Sequence, residues 1–364
     1  MVTGYRGRMI WSRATRWGRL LVYNSYFLLV WSPCASTSGR PARPISTAVR
    51  FVFLEGCPGY WGKRHHGRCS QMSGHMYDRP DDERVDWVGS IPFILIHLTP
   101  LLAIWTGFRA VDVALCVALY FGRMFFISAG YHRYFSHRGY KTGRLMQFLI
   151  AFGGSTAAQK GVLWWAGYHR HHHKYSDQPE DIHSPRKGFL WSHMGWIVCP
   201  KFSRTPVELI RDFEKYPELR WLEKYHLVPP TLLALACLAI GGPSALVVGF
   251  LTSTVILFHG TFTVNSLTHV YGSRRYETTD TSRNSFLIAL WTGGEGWHNN
   301  HHFYESTANN GFFWWEIDSS YYVLKVLSWM GLVWDLRLPP KYVLEGRRAT
   351  LDDYQMDPPV EQPE

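Results

Sequence analysis

Four apolar runs punctuate the chain between residues 87 and 264. The first, Trp87 to Phe108, follows the charged stretch Asp78 to Asp86 and is long enough to cross a bilayer core, which takes about 20 helical residues. Pro92 and Pro100 inside it are tolerable in a membrane bundle. A short turn at Arg109 leads to the second run, Val111 to Ala129. Leu227 to Ile240 and Ala245 to Val264 make a second pair, divided by Gly241-Gly242-Pro243-Ser244, a sequence of helix breakers. The third run is short and gains length by tilting or from flanking residues. Each pair returns the chain to the side it left. The pattern predicts an all-α integral membrane protein, with four transmembrane helices as two hairpins and a peripheral helical domain.

The remaining segments fit around that frame. Leu145 to Trp165 is apolar but interrupted by Gly153-Gly154-Ser155 and Gln159-Lys160, and reads as a re-entrant or interfacial helix. Ser176 to Tyr225 is polar and charged, a membrane-peripheral stretch. Residues 1–75 carry no sustained apolar period. They read as a disordered extension, either an organelle leader or non-coding sequence translated from a start assigned too far upstream. Residues 76–345 then form the membrane domain, and residues 346–364, acidic and proline-bearing, a disordered tail.

Charge supports this division. The net charge of +10 resides in residues 1–75, where ten Arg and one Lys face one Glu; the rest of the chain is balanced. A nucleic-acid role, which overall basicity would otherwise invite, is set aside on that ground. Aromatic residues make up 16% of the chain, a supply suited to membrane-interface belts. Cys34, Cys57, Cys69, Cys116, Cys199 and Cys237 form no CxxC pair, so neither a disulfide framework nor a zinc knuckle is indicated.

The chemistry lies in the histidines. In Gly167-Tyr168-His169-Arg170-His171-His172-His173-Lys174, a helix places His169, His172 and His173 on one face, while His171 points elsewhere. The same i, i+3, i+4 spacing recurs at His298, His301 and His302, and His132 and His137 bracket Arg133-Tyr134-Phe135-Ser136. A solitary histidine is more often a surface or core residue than a ligand, but these groups are repeated, internal and interrupted, unlike a purification tag. Imidazole suits iron, zinc and copper, and this many donors ask for more than one ion. Span parity places all of these histidines, together with His269 at the exit of the fourth run, on one face of the membrane.

With these groups stand Gly130-Tyr131-His132-Arg133, Lys174-Tyr175-Ser176-Asp177, Arg186-Lys187-Gly188-Phe189, Asn265-Ser266-Leu267-Thr268-His269 and Gly294-Glu295-Gly296-Trp297. From about residue 85 to 340 the chain resembles the membrane fatty acid desaturases, and within them the Δ9 acyl-CoA (stearoyl-CoA) group. The resemblance implies two non-haem iron ions, molecular oxygen as co-substrate, and a cis double bond, most simply at Δ9, in a saturated acyl chain. Zinc is redox-inactive and does not suit such an oxidation. By the family pattern the metal ligands are His132, His137, His169, His172, His173, His269, His298, His301 and His302. Asn265 would be a polar neighbour of the metals, and Gln159, Trp165 and Thr261 would line the bend of a substrate tunnel. His97, His183, His193, His226 and His259 match no ligand position.

The resemblance further implies a fatty acyl substrate and a separate electron donor of cytochrome b5, ferredoxin or rubredoxin type, since no His-Pro-Gly-Gly string marks a fused cytochrome domain. It implies a multi-pass protein with its active site on the cytoplasmic face. Three positions depart from the acyl-CoA enzymes. Gly167-Tyr168 replaces Arg-Asp before the second histidine group, Lys160 replaces an Asn, and Pro200-Lys201 replaces a basic pair. An acyl-lipid substrate therefore stands beside acyl-CoA. The same scaffold could instead hydroxylate an alkane or lipid. A membrane metal carrier is the non-enzymatic alternative, though it should hold its ligands within the spans rather than at their ends.

Overall fold

The computed structural model describes residues 79–346. The expectations for residues 1–75 and for the tail after Gly346 fall outside the described residues, as do Cys34, Cys57, Cys69, His65, His66 and His75. The described chain is mostly helical.

An uncharged stretch with proline at its first turn forms the short apolar helix α1 (Ile91–Thr106). It starts later than the sequence pattern implies. Pro100 lacks an amide hydrogen, and the helix tightens to a 3₁₀ turn at Thr99–Leu102 before Gly107, at φ +64°, ends it. Helix α2 (Ala110–Ser136, 27 residues) is long and apolar enough to cross a membrane. Its start is fixed by Arg109, whose backbone N–H and guanidinium both donate to Asp112 (2.9 and 2.7–2.9 Å). The helix continues past Ala129, because Phe126–Ser136 widens into π geometry instead of stopping. Such widening is common at functional sites; here it carries His132.

The stretch covering the third and fourth runs, Val228–His269, meets the same length and composition test. It is two helices, α6 (residues 228–241) and α7 (residues 243–269), joined at Gly242 with φ 75° and ψ −170°. Only glycine adopts that conformation freely, and Pro243 is suited to open the helix that follows. The break is thus one residue, narrower than the four-residue turn the sequence proposes. α7 also runs on to His269, through a final 3₁₀ turn at Leu267–His269. Arg123 ties α2 to α7, donating to Thr254 Oγ1 (2.7 Å) and Ser253 Oγ (2.5 Å).

The segment read as one interfacial helix is two. α3 (Arg144–Ser155) and α4 (Val162–Tyr175) are separated by a loop in which Ala158 (φ 56°) and Lys160 (φ 63°) take left-handed backbone angles. α4 begins where Glu223, from α5 (Pro217–Lys224), accepts the backbone N–H groups of Leu163 (2.9 Å) and Trp164 (3.2 Å). A carboxylate there satisfies free amides and complements the helix dipole. Tyr131, Phe135, Ile150, Leu163, Phe213 and Leu222 close the core between α2, α3, α4 and α5. Near the chain end, β1 (Lys141–Thr142) pairs antiparallel with β2 (Val333–Trp334). Three more helices complete the site: α8 (Phe286–Thr292), α9 (His298–Phe303) and α10 (Ser319–Trp329).

Candidate metal centre

The nine histidines singled out by spacing and resemblance gather at the ends of α2, α4, α7 and α9, in two groups. His132, His137, His169, His173 and His301 form group A; His172, His269, His298 and His302 form group B. Within each group the donor nitrogens lie within 4.8 Å of one another. The partition crosses the sequence motifs. α4 gives its i, i+4 pair, His169 and His173, to group A and His172 to group B. α9 does the reverse, giving His298 and His302 to group B and His301 to group A.

In group A, the Nε2 atoms of His132 and His301 approach to 2.9 Å, those of His137 and His169 to 2.9 Å, and those of His173 and His301 to 3.0 Å. In group B, His269 and His298 bring their Nε2 atoms to 3.0 Å. Adjacent donors on an octahedral ion with bonds of about 2.1 Å lie roughly 3.0 Å apart, so the spacing fits shared ions. The buried Nε2 atoms of His172 and His302 have no hydrogen-bond partner, which is the condition expected of ligand atoms.

Six of the nine rings have an acid beside their other nitrogen. His172 Nδ1 donates to Asp181 Oδ1 (2.9 Å), His302 Nδ1 to Asp280 Oδ2 (2.5 Å), and His269 Nδ1 to Asp177 Oδ2 (3.3 Å). His132 Nδ1 lies 2.6 Å from Glu295 Oε2; Glu305 Oε2 lies 2.9 Å from His173 Nδ1 and 3.5 Å from His137 Nδ1. Such carboxylates fix the tautomer and orient the ring toward a metal. Arg133, fully buried, holds Glu295 at 2.9 Å and Asp318 at 2.8 Å. Asn284 Oδ1 accepts the N–H groups of Asn299 (2.9 Å) and Asn300 (3.1 Å) and so positions α9.

Electrostatics favour the donor form. Burial, reinforced by neighbouring imidazoles, holds His137, His169, His298 and His301 well below the ordinary histidine value. Burial and His173 bring His302 down to about 3 despite Asp280. His172 differs: burial pulls it down, but Asp181, Asp280 and Asp177 outweigh this and raise it. Burial would raise Glu295, yet His132 and Arg133 bring it down to about 2. Asp177, Asp181 and Asp280 are held low by His269, His172 and His302 respectively, against burial. Neutral imidazole backed by ionised carboxylate is the form that binds metal.

A largely apolar cavity of about 90 Å³ adjoins group A and is lined by His169. Gln159, Trp165 and Thr261 also line it. Gln159 Nε2 donates to Thr261 Oγ1 (2.9 Å), and Trp165 stacks on His169 at 5.1 Å. Asn265 faces the same space, while its backbone carbonyl accepts the Ser192 hydroxyl (2.7 Å). His171 turns away, its Nε2 3.0 Å from the Glu180 carbonyl oxygen. His183, set aside in the sequence, packs 4.2 Å from His172 and also lines the cavity. His193 and His259 pair with each other at 3.0 Å, outside both groups.

The carboxylates are what sequence reasoning missed. Asp177 and Glu295 sat in quoted motifs without a role, and Asp181, Asp280 and Glu305 had no mention. The available signal was chemical: each ligating imidazole needs an acceptor for its second nitrogen, and acids are sparse beside these histidines.

Residues 110–321 match the pattern of the fatty acid desaturase family. The chain is 36% identical over 265 residues to an sn-1 stearoyl-lipid 9-desaturase of Synechocystis, covering 72% of this chain and 83% of that one. It is 36% identical over 270 residues to the chloroplastic palmitoyl-monogalactosyldiacylglycerol delta-7 desaturase of Arabidopsis thaliana, 72% of each chain. To an acyl-CoA 5-desaturase of Anemone leveillei it is 35% identical over 249 residues, 68% of this chain and 76% of the relative. On the matched pattern and the extent of these relatives, the chain belongs to the fatty acid desaturase family.

Proposed function

We propose that this protein is an oxygen-dependent fatty acyl desaturase that places a cis double bond at Δ9 of a saturated chain, with iron ions in groups A and B. The observation that carries this reading is the two converging histidine groups beside an apolar cavity. When bound, the two irons would supply the oxygen-dependent oxidation that takes two hydrogens from adjacent methylenes. His132, His137, His169, His173 and His301 would hold one ion, and His172, His269, His298 and His302 the other. Asp177, Asp181, Asp280, Glu295 and Glu305 keep the rings oriented. Asn265 would add a polar contact at the cavity end of the centre.

The cavity does the selecting. Gln159 and Thr261 are hydrogen-bonded on its wall and Trp165 stacks on His169, so an acyl chain would be bent where it passes the metals. That contact fixes which carbons are attacked, and the apolar walls exclude water from the reacting methylenes. Four membrane spans, α1, α2, α6 and α7, would bring the chain from the bilayer into this space, with the metal groups on the cytoplasmic side. There a separate electron-carrying protein would reach them.

For the acyl carrier, the family resemblance favours acyl-CoA, and one observation favours a membrane lipid instead. Lys201 is engaged by Glu83 at 2.8 Å, and Lys187 by the same carboxylate at 3.6 Å. Phosphate recognition needs cations free to bind it. Expression in a desaturase-deficient cell, with profiling of free, CoA-bound and lipid-bound acyl chains, tests both points. A Δ9 alkene is the expected product; an alcohol would assign the scaffold to hydroxylation.

A further inference from the structure

The polar C-terminal region carries an apolar surface that the four-span reading does not use. In α8, Ile288, Ala289 and Thr292 face the protein, while Phe286, Leu287, Leu290 and Trp291 point outward; Leu287 is 69% exposed. No charged residue occurs from Asn284 to Gly294. In α10, Ser320 and Leu324 are buried, and Tyr322, Val323, Val326 and Trp329 form an exposed face that extends to Met330. Trp329 is 78% exposed. The cation on this helix, Lys325, lies 5.8 Å from the Trp329 ring and 5.9 Å from Tyr321, an arrangement that lets an ammonium reach water from an apolar surface.

What covers this surface follows from where it is attached. Tyr120 of α2 donates to the Trp291 carbonyl (2.8 Å) and packs on its ring at 4.7 Å. A Cβ on Gly260 of α7 would stand 2.7 Å from Tyr120 Oη and 3.4 Å from Trp291 Nε1, so the indole lies against α7 where that helix has no side chain. The Ser320 N–H donates to the Gly293 carbonyl (3.2 Å), joining α10 to the end of α8. Tyr120 precedes His132 by twelve residues and Gly260 precedes His269 by nine. At 1.5 Å per residue, the attachment lies roughly 14–18 Å from the metal layer, back along the spanning helices. Exposed apolar patches of this kind mark an interface, and this one is attached to α2, whose Val113, Val117 and Phe121 are likewise exposed.

We propose that α8 and α10 are seated in the bilayer, as a lipid-facing collar that fixes the third histidine group at a set depth. α8 ends at Gly293 and Gly294, with φ +70° and +111°, directly before Glu295, which braces His132, and His298 of group B. A helix immersed in lipid is therefore the footing of the metal centre. The inference rests on the membrane-spanning reading. Its test uses the intact wild-type chain in phosphatidylcholine vesicles, labelled by a lipid-soluble diazirine and mapped by peptide mass spectrometry. Label on Leu287 or Trp291 and on Val323 or Trp329, as strong as on Leu98 and Val113 of the spans and far above residues 211–224, is the expected result. Labelled spans with unlabelled α8 and α10 would overturn the collar alone, whereas unlabelled spans would overturn the membrane reading beneath it. Labelling that disappears as protein is crowded in the vesicle would assign the face to a second copy of the chain and equally sink the proposal.

Discussion

Groups A and B differ most in what stands behind their histidines. Group B is backed by Asp177, Asp181 and Asp280, all buried. Group A is backed by Glu295, also buried, and by Glu305, whose side chain is 53% exposed. Glu305 and His137 line a polar cleft with Arg138, Arg170 and Asp212, while His169 of the same group lines the apolar cavity. Group A therefore meets both the polar cleft and the apolar cavity, and no group B histidine lines either. An ion in a sealed site is held by a rigid second layer, while one between two openings is where substrate and reductant can approach.

The comparison predicts graded damage. Alanine at any of the nine histidines should reduce product to background, read by fatty-acid profiling, because each ion loses a donor that no neighbour replaces. Thr261→Trp should leave iron in place and lower turnover on the order of 100-fold, since small misplacement of a reacting chain is that costly. Iron lost from that variant would make Thr261 a support of the metals instead. Asp280→Asn should weaken iron binding about 10–100-fold, the usual effect of removing a buried carboxylate behind a ligand. Glu305→Gln should cost less than about tenfold, as water can replace it; equal loss in the two variants, measured by chelator competition, would erase the distinction between sealed and open groups. Smallest of all, His171→Ala should retain activity within about twofold, since this half-buried ring turns away from both groups and changes away from special features cost little.

The sequence carried the local part of this arrangement. Spacing of three and four places His169, His172 and His173 on one helical face, and α4 presents them so. Apolar runs located α2 and the paired helices α6 and α7, because hydropathy depends on composition alone. Helix ends were less readable: α2 and α7 run past their apolar segments because tertiary contacts and π geometry hold them, as the buried contacts around Tyr131 and Phe135 show. The split between groups could not be read at all. Whether His172 joins His169 or His298 depends on how α4 meets α9, a contact between residues more than a hundred positions apart. The same is true of Glu295 behind His132, set in place by the buried Arg133.

Iron analysis of the wild type and four variants tests the central claim, that two histidine groups each hold one ion and that the motifs are shared between them. The wild type should bind two irons per chain, and His137→Ala and His172→Ala one each. The iron remaining in His172→Ala should match spectroscopically that in His298→Ala, from a different motif, and differ from that in His169→Ala, from its own. One iron in the wild type, or His172→Ala behaving like His169→Ala, would contradict the account.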